Sequence, residues 1–207
     1  MNLWTKGYLI ALVFLLTLTT TACSQSAQKT TDHSEQQVKN HKTVELPTRS
    51  KANEEKKVAP VNWNKPSGGA YPIIKKNEPI WIDVSIKAQK VYIKDGRRIL
   101  YTMIASTGKD TNPDTTTPTG TYYIQAERGK WFYAPKYKEG AKYWVSWKNH
   151  GEFLFHSVPM DQNQQILTAD AKKLGQKDSH GCIHLTVPDA KWVYEHIPYQ
   201  TKVVIHS

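Results

Sequence analysis

Aromatic side chains are missing from a long stretch of this chain: Ser24 to Asn62 contains no Phe, Tyr or Trp. A segment so poor in large apolar groups cannot bury enough surface to offset the entropy of ordering it. Cysteine is scarce as well. There are two, Cys23 and Cys182, in unlike surroundings, which excludes a disulfide scaffold. Only one long apolar run occurs, near the N-terminus, which excludes a multi-pass membrane protein. Acidic residues fall short of basic ones, 18 against 28, giving a formal net charge of +10. The 207 residues suffice for one ordinary domain with an appendage.

What is present divides the chain into three. Residues 1–23 carry one Lys (Lys6), an apolar core from Tyr8 to Leu18, then Thr19-Thr20-Thr21-Ala22-Cys23. The core is too short for a bilayer span of about 20 residues and reads as an export signal. Ala22-Cys23-Ser24 resembles the lipobox of bacterial lipoproteins, with Thr20 where an aliphatic residue is usual. That resemblance implies lipidation of Cys23; an uncleaved anchor and plain secretion stay open, and all three export the chain. Residues 24–70 read as a solvated, disordered tether, whose reach would lift a C-terminal domain off a membrane. No internal repeat is visible.

The domain is expected over residues 78–206 and reads as mostly β. Ile80, Ile82, Val84 and Ile86 alternate with Trp81, Asp83, Ser85 and Lys87, the period of a half-buried strand. Lys90–Lys94 follows, and Asp95-Gly96 supplies a hairpin turn into Ile99–Ala105. Ser106–Gly120 is a long loop rich in Gly, Pro and Thr. Further strands are expected at Thr121–Ala126, Lys142–Trp147, Glu152–His156 and Thr201–Ile205. Two short helices are expected, one capped by Thr168 and ended by Gly175, the other capped by Thr186 with Val193 and Ile197 facing the core.

Chemistry concentrates in Ser179-His180-Gly181-Cys182-Ile183-His184. Most free cysteines are inert buried thiols. Here a thiol is kept in an exported chain, histidines flank it at −2 and +2, and Gly181 permits close backbone approach to a ligand. An imidazolium beside a thiol lowers its pKa and makes a nucleophile. Zinc is the competing use, since His180, Cys182 and His184 share one face of an extended strand and His156 could be a fourth ligand. Three ligands so close on one strand rarely wrap a tetrahedron. Nucleic acid is opposed by the export signal and the lack of any binding motif.

Ser179-His180-Gly181-Cys182 resembles the S/T-H-G-C signature of the L,D-transpeptidase (YkuD-like) catalytic domain. Phe153-Leu154-Phe155-His156-Ser157 is similar to the strand-end His of that family. Ser106-Thr107-Gly108 and Thr117-Pro118-Thr119-Gly120-Thr121-Tyr122 look like its early loop and following strand. The resemblance implies a β-sandwich-like fold with small helices. It also implies Cys182 as nucleophile, His156 as general base and the Ser157 carbonyl as orienter of the imidazole. Backbone N–H groups of Gly181 and Cys182, with His180, would form an oxyanion pocket. Ser179 and His184 would contact substrate. His184 stands where the family usually has Arg or Asn, which leaves that position's contact in doubt and open to titration. The spacing between His156 and Ser179 is long, and the helix at Thr168–Leu174 could fill it as part of a lid.

The expectation is therefore a membrane-tethered, extracytoplasmic monomer acting on peptidoglycan stem peptides, with no cofactor, metal or nucleic acid. Thioester formation on Cys182 and its aminolysis would make 3→3 cross-links. Hydrolysis instead would make an L,D-carboxypeptidase, and a degenerate site would leave a non-catalytic wall-binding lipoprotein. Trp144, Trp147, Tyr143 and Tyr137 read as packing before glycan contacts. His150, His196 and His206 read as structural or exposed.

Overall fold

The computed structural model describes residues 61–75 and 77–207. The expected export signal, Cys23 and most of the tether lie outside the described residues. Among those described, no helix is long and apolar enough to cross a membrane.

Strands β1 (Ile80–Ser85), β2 (Lys90–Asp95), β3 (Arg98–Ile104) and β4 (Gly120–Tyr123) come first in the chain. They are followed by β5 (Arg128–Ala134), β6 (Glu139–Lys148) and β7 (Phe153–Ser157). Helix α1 (Thr168–Ala171), β8 (Ile183–Leu185), helix α2 (Val187–His196) and β9 (Lys202–His206) complete the order. One sheet runs β3-β2-β1-β9-β4 and the other β5-β6-β7-β8. Two contacts are parallel, β1 with β9 and β7 with β8; the other pairings are antiparallel.

The apolar alternation of β1 does what its period requires. Ile82 and Val84 are fully buried, as are Val91, Ile93, Met103 and Val203 from the same sheet. The second sheet contributes Val145, Trp147, Phe155, Ile183 and Leu185 to the same core. Side chains from both sheets thus close on one apolar layer, and the fold is mostly β, as expected. Helix α2 adds Ala190, Trp192 and Val193, with Ile197 just past its end. Thr186 caps it by accepting from the Asp189 N–H at 3.1 Å.

Several local expectations change. The hairpin turn is Gly96-Arg97, because Asp95 pairs with Arg98 inside the ladder. Thr168 does not cap α1: it is the first helical residue, Leu167 precedes it, and the helix stops at Ala171. Strands β5 and β8 were not expected. The packed body also begins upstream of Glu78. Asp189, fully buried, accepts from Ser67 Oγ at 2.6 Å and Tyr71 OH at 2.9 Å. Ser67 Oγ accepts from the Ile104 N–H at 2.9 Å, and the Tyr71 ring stacks on Trp192 at 5.6 Å. The end of the expected tether is therefore a strap bound across β3 and α2, held by polar contacts that apolar periodicity does not report.

Candidate active site

The parallel pairing of β7 and β8 sets the geometry. His156 faces His184 in register, and the two imidazole centroids lie 4.7 Å apart. The long loop after β3 buttresses this pair. Ser106 and His184 exchange both backbone hydrogen bonds, at 3.0 and 2.9 Å, and the Lys109 N–H donates to Ser179 O. Thr117 Oγ1 donates to Gly181 O at 2.9 Å and accepts from the Gly108 N–H at 2.8 Å. A Cβ on Gly108 would lie 2.2 Å from Thr115 O, so only glycine permits this approach. The loop is a clamp on the Ser179–His184 segment.

Gly181 turns the chain at φ +109°, a conformation that L side chains rarely adopt, and a Cβ there would lie 2.9 Å from the Phe153 ring. Ser179 Oγ accepts from the Gly181 N–H at 3.0 Å and donates to Cys182 O. Residues 180–182 are therefore a serine-braced turn, and extended strand starts only at Ile183, so His180, Cys182 and His184 do not share one strand face as the zinc alternative required. The brace also corrects the oxyanion expectation at Gly181, whose N–H is already bonded to Ser179.

Cys182, His156, His180 and His184 line one cavity of about 560 Å³. The β5–β6 hairpin supplies its other wall, with Phe132, Lys136, Tyr137, Glu139 and Trp144. Tyr137 stacks on His180 at 4.5 Å, and Phe132 sets its ring edgewise to His156 at 5.4 Å. Helix α1 contributes nothing to the lining. Ala171 and Leu174 pack instead with Val158, Val61 and Trp63, so the expected lid role of Thr168–Leu174 is overturned.

Hydrogen bonding fixes the His156 tautomer. Its Nδ1 lies 2.7 Å from Ser157 O, and a carbonyl only accepts, so Nδ1 carries the proton and Nε2 is a free acceptor. Ser157 is itself buried and held, its Oγ accepting from the Lys142 N–H and donating to Val158 O. Burial lowers His156 to about 4, offset in part by the Ser157 bond. Burial likewise pushes His184 well down, and neighbouring His156 adds to it. His180 is lowered by burial and by Lys109. Cys182 is pushed up to about 12 by burial, with the Glu152 carboxylate working the same way. Its sulfur donates to Glu152 O at 3.5 Å. Burial thus favours the uncharged thiol and the uncharged imidazoles over the ion pair expected from the sequence.

The remaining residues fall as their surroundings dictate. Trp147 is core, while Trp144 and Tyr137 line the cavity. Exposed His150 bonds Glu127 at 2.8 Å, and His206 bonds Asp83 at 2.9 Å. His196 stacks on Trp192. Sequence reasoning missed Phe132, Lys136 and Glu139. The cue available was Trp131-Phe132-Tyr133 followed by a turn and Gly140, an aromatic run bounded like a hairpin.

A sequence model of the L,D-transpeptidase catalytic domain (YkuD) matches residues 79–205. A relative from Bacillus subtilis (strain 168), named "Putative L,D-transpeptidase YciB", is 61% identical over 145 residues, 70% of this chain and 74% of the relative. An L,D-transpeptidase crystal structure from Mycobacterium tuberculosis H37Rv is similar in fold, with TM-score 0.50 and 20% identity. That match covers 62% of this chain and 58% of the other. An L,D-transpeptidase from Mycobacterium smegmatis gives TM-score 0.49 at 18% identity, covering 62% and 59%. The chain spans a little over half the length of these solved structures.

Proposed function

This chain belongs to the L,D-transpeptidase (YkuD) catalytic-domain family, and from that premise we propose that it transfers acyl groups between peptidoglycan stems through a thioester on Cys182. The sulfur attacks the carbonyl of the third stem residue and expels the terminal D-Ala. An amine on a neighbouring stem then displaces the thiol, forming a 3→3 amide and regenerating the enzyme. Two easier displacements replace one difficult one, with no cofactor called for.

His156 acts as general base through Nε2. Because burial favours the neutral thiol and the neutral imidazole, loss of the sulfur proton to Nε2 is coupled in this reading to formation of the carbon–sulfur bond. The Ser157 carbonyl holds the ring for that transfer and stabilises the imidazolium that results. The Cys182 N–H, with His180, takes the oxyanion role, since the Gly181 N–H is engaged by Ser179. Ser179 positions the turn, and His184 packs against the base as a neutral ring where a fixed cation would oppose its protonation. The reading extends to an exported monomer tethered through Cys23 or an uncleaved signal.

The observation that carries the proposal is the lining of one cavity by the thiol and by an imidazole whose Nδ1 is held at 2.7 Å by Ser157 O. The test incubates the protein with a stem tetrapeptide and maps adducts by mass spectrometry. A tripeptide acyl group on Cys182 with release of D-Ala is expected. A Cys182→Ala protein that still releases D-Ala overturns the assignment.

A further inference from the structure

The charge of the cavity runs against the charge of the chain. The protein carries a net +10, yet the cavity lining includes Asp114, Glu139 and Glu152 with Lys136 as its one cation. These carboxylates are not equivalent. Asp114 and Glu152 are exposed, and Glu152 already accepts from Asn149 at 2.7 Å. Solvent and salt screen such groups.

Glu139 is different. It is half-buried at the start of β6, beside the hairpin turn that carries Tyr137. Among the described residues no cation forms an ion pair with it and no donor bonds its side chain. The lysines near it are already matched: Lys173 bonds Asp170 and Asp178, at 2.9 and 3.2 Å, and Lys109 pairs with Asp178. Lys136 lies over the Tyr137 ring at 5.3 Å. Burial, with Asp170 and Asp178, holds the Glu139 carboxyl above its ordinary value. A desolvated carboxylate without a counter-charge is costly unless something supplies one. Here it borders an open cavity that also contains the thiol.

We propose that Glu139 is a specificity-determining residue that binds an ammonium group of the stem peptide. The inference rests on the transpeptidase reading above. Two ammonium groups share this chemistry: a side-chain amine on the third residue of the acyl donor, and the acceptor amine, which docks as ammonium and passes its proton to His156 before it attacks. A charge-assisted bond at a partly desolvated site favours the ammonium over its neutral acetamide by about tenfold.

The experiment compares the full-length protein with Glu139→Gln and Glu139→Asp. The donor arm measures D-Ala release from a tetrapeptide with lysine at the third position, its side-chain amine either free or acetylated. The acceptor arm measures dimer against hydrolysed tripeptide at fixed acceptor concentration, with donors whose own side chain is acetylated. A binding arm titrates the same tetrapeptides calorimetrically into Cys182→Ala and into Cys182→Ala/Glu139→Gln, and so needs no turnover. The expected result is either an about tenfold preference for the free amine in the donor arm or an about tenfold higher dimer-to-tripeptide ratio for wild type than for Glu139→Gln in the acceptor arm. Glu139→Gln removes it through KM with kcat little changed, and Glu139→Asp restores part of it. If the donor is the source, the binding arm shows the same preference. Equal handling of free and acetylated donors by wild type together with a dimer-to-tripeptide ratio unchanged by Glu139→Gln, or a donor preference that survives Glu139→Gln, overturns the proposal. Calorimetric discrimination without any D-Ala release upholds Glu139 as an ammonium site while removing the transpeptidase reading.

Discussion

The two sheets bury residues into the same core but are built for different ends. In β1 and β2 the inward side chains are Ile82, Val84, Val91 and Ile93, all fully buried aliphatics. The second sheet turns Trp147, Phe155 and Ile183 into the core, and the alternation of β7 and β8 puts His156 and His184 on its opposite face, toward the cavity. Its β5 strand has no fully buried residue at all, because one face lines a cavity. Positive φ occurs on both sides of the molecule, at Gln89 and Gly96 in the first sheet's turns and here at Tyr143 inside β6, at Asn149 and His150 after it and at Gly181 beside the thiol. A buried imidazole and a positive-φ turn lower stability and fit a binding site. The first sheet stabilises, and the second, with the turn before β8, holds the groups proposed to react.

The sharpest way to break that division is to remove the base. His156→Ala should slow thioester formation by about 10²–10⁴-fold, followed as the rate of D-Ala release, with far-ultraviolet circular dichroism unchanged. If release continues at the wild-type rate, the second sheet has lost its claim to the chemistry. The converse change belongs to the first sheet. Ile82→Ala should destabilise the fold by about 2–5 kcal/mol in urea titration, while the rate per folded molecule stays within about twofold. A large fall in rate would mean that the two sheets are mechanically coupled.

Acid should separate them next. A buried neutral imidazole binds its proton in the folded state only near pH 4, whereas in the unfolded chain it does so near 6.5. Between these values the unfolded chain holds more protons, so stability is fully present above about pH 6.5 and declines as pH falls toward 4. His156 alone would contribute on the order of 3 kcal/mol over that window, with His184 acting in the same direction. Urea titrations at pH 7, 5.5 and 4.5 should show the decline, and His156→Asn should flatten it. An unchanged slope in the variant would locate the acid sensitivity elsewhere.

How much of this was legible follows from the same contrast. Strands β1 to β3 announce themselves because each has one wet and one dry face. Strand β5 does not, since Trp131-Phe132-Tyr133 run together without alternation and no residue of the strand is fully buried. With only three residues, β8 is too short to show a period. At the site, Ser179-His180-Gly181-Cys182 and His156 are readable as chemistry, and the Gly181 turn follows from residue type. The protonation states are not readable. They are set by burial against Phe132, His184 and the hairpin, partners far away in the chain. The Ser179 brace on Gly181 is equally invisible, because it depends on how the turn folds back.

The strap offers the finest test, because it belongs to neither sheet. Asp189 of α2 gathers Ser67, Tyr71 and Tyr101, tying residues 67–71 to β3 of the first sheet while α2 packs on β6 and β7 of the second. Replacing that carboxylate with an amide leaves the shape but removes the charged acceptor for three hydroxyl groups. Asp189→Asn should therefore cost about 1–2 kcal/mol of stability and should expose the chain near Ser67 to protease earlier than in wild type. D-Ala release should be unaffected, since none of these residues lines the cavity. If instead the rate falls while stability holds, the strap transmits position from one sheet to the other, and the division between them is incomplete at this seam.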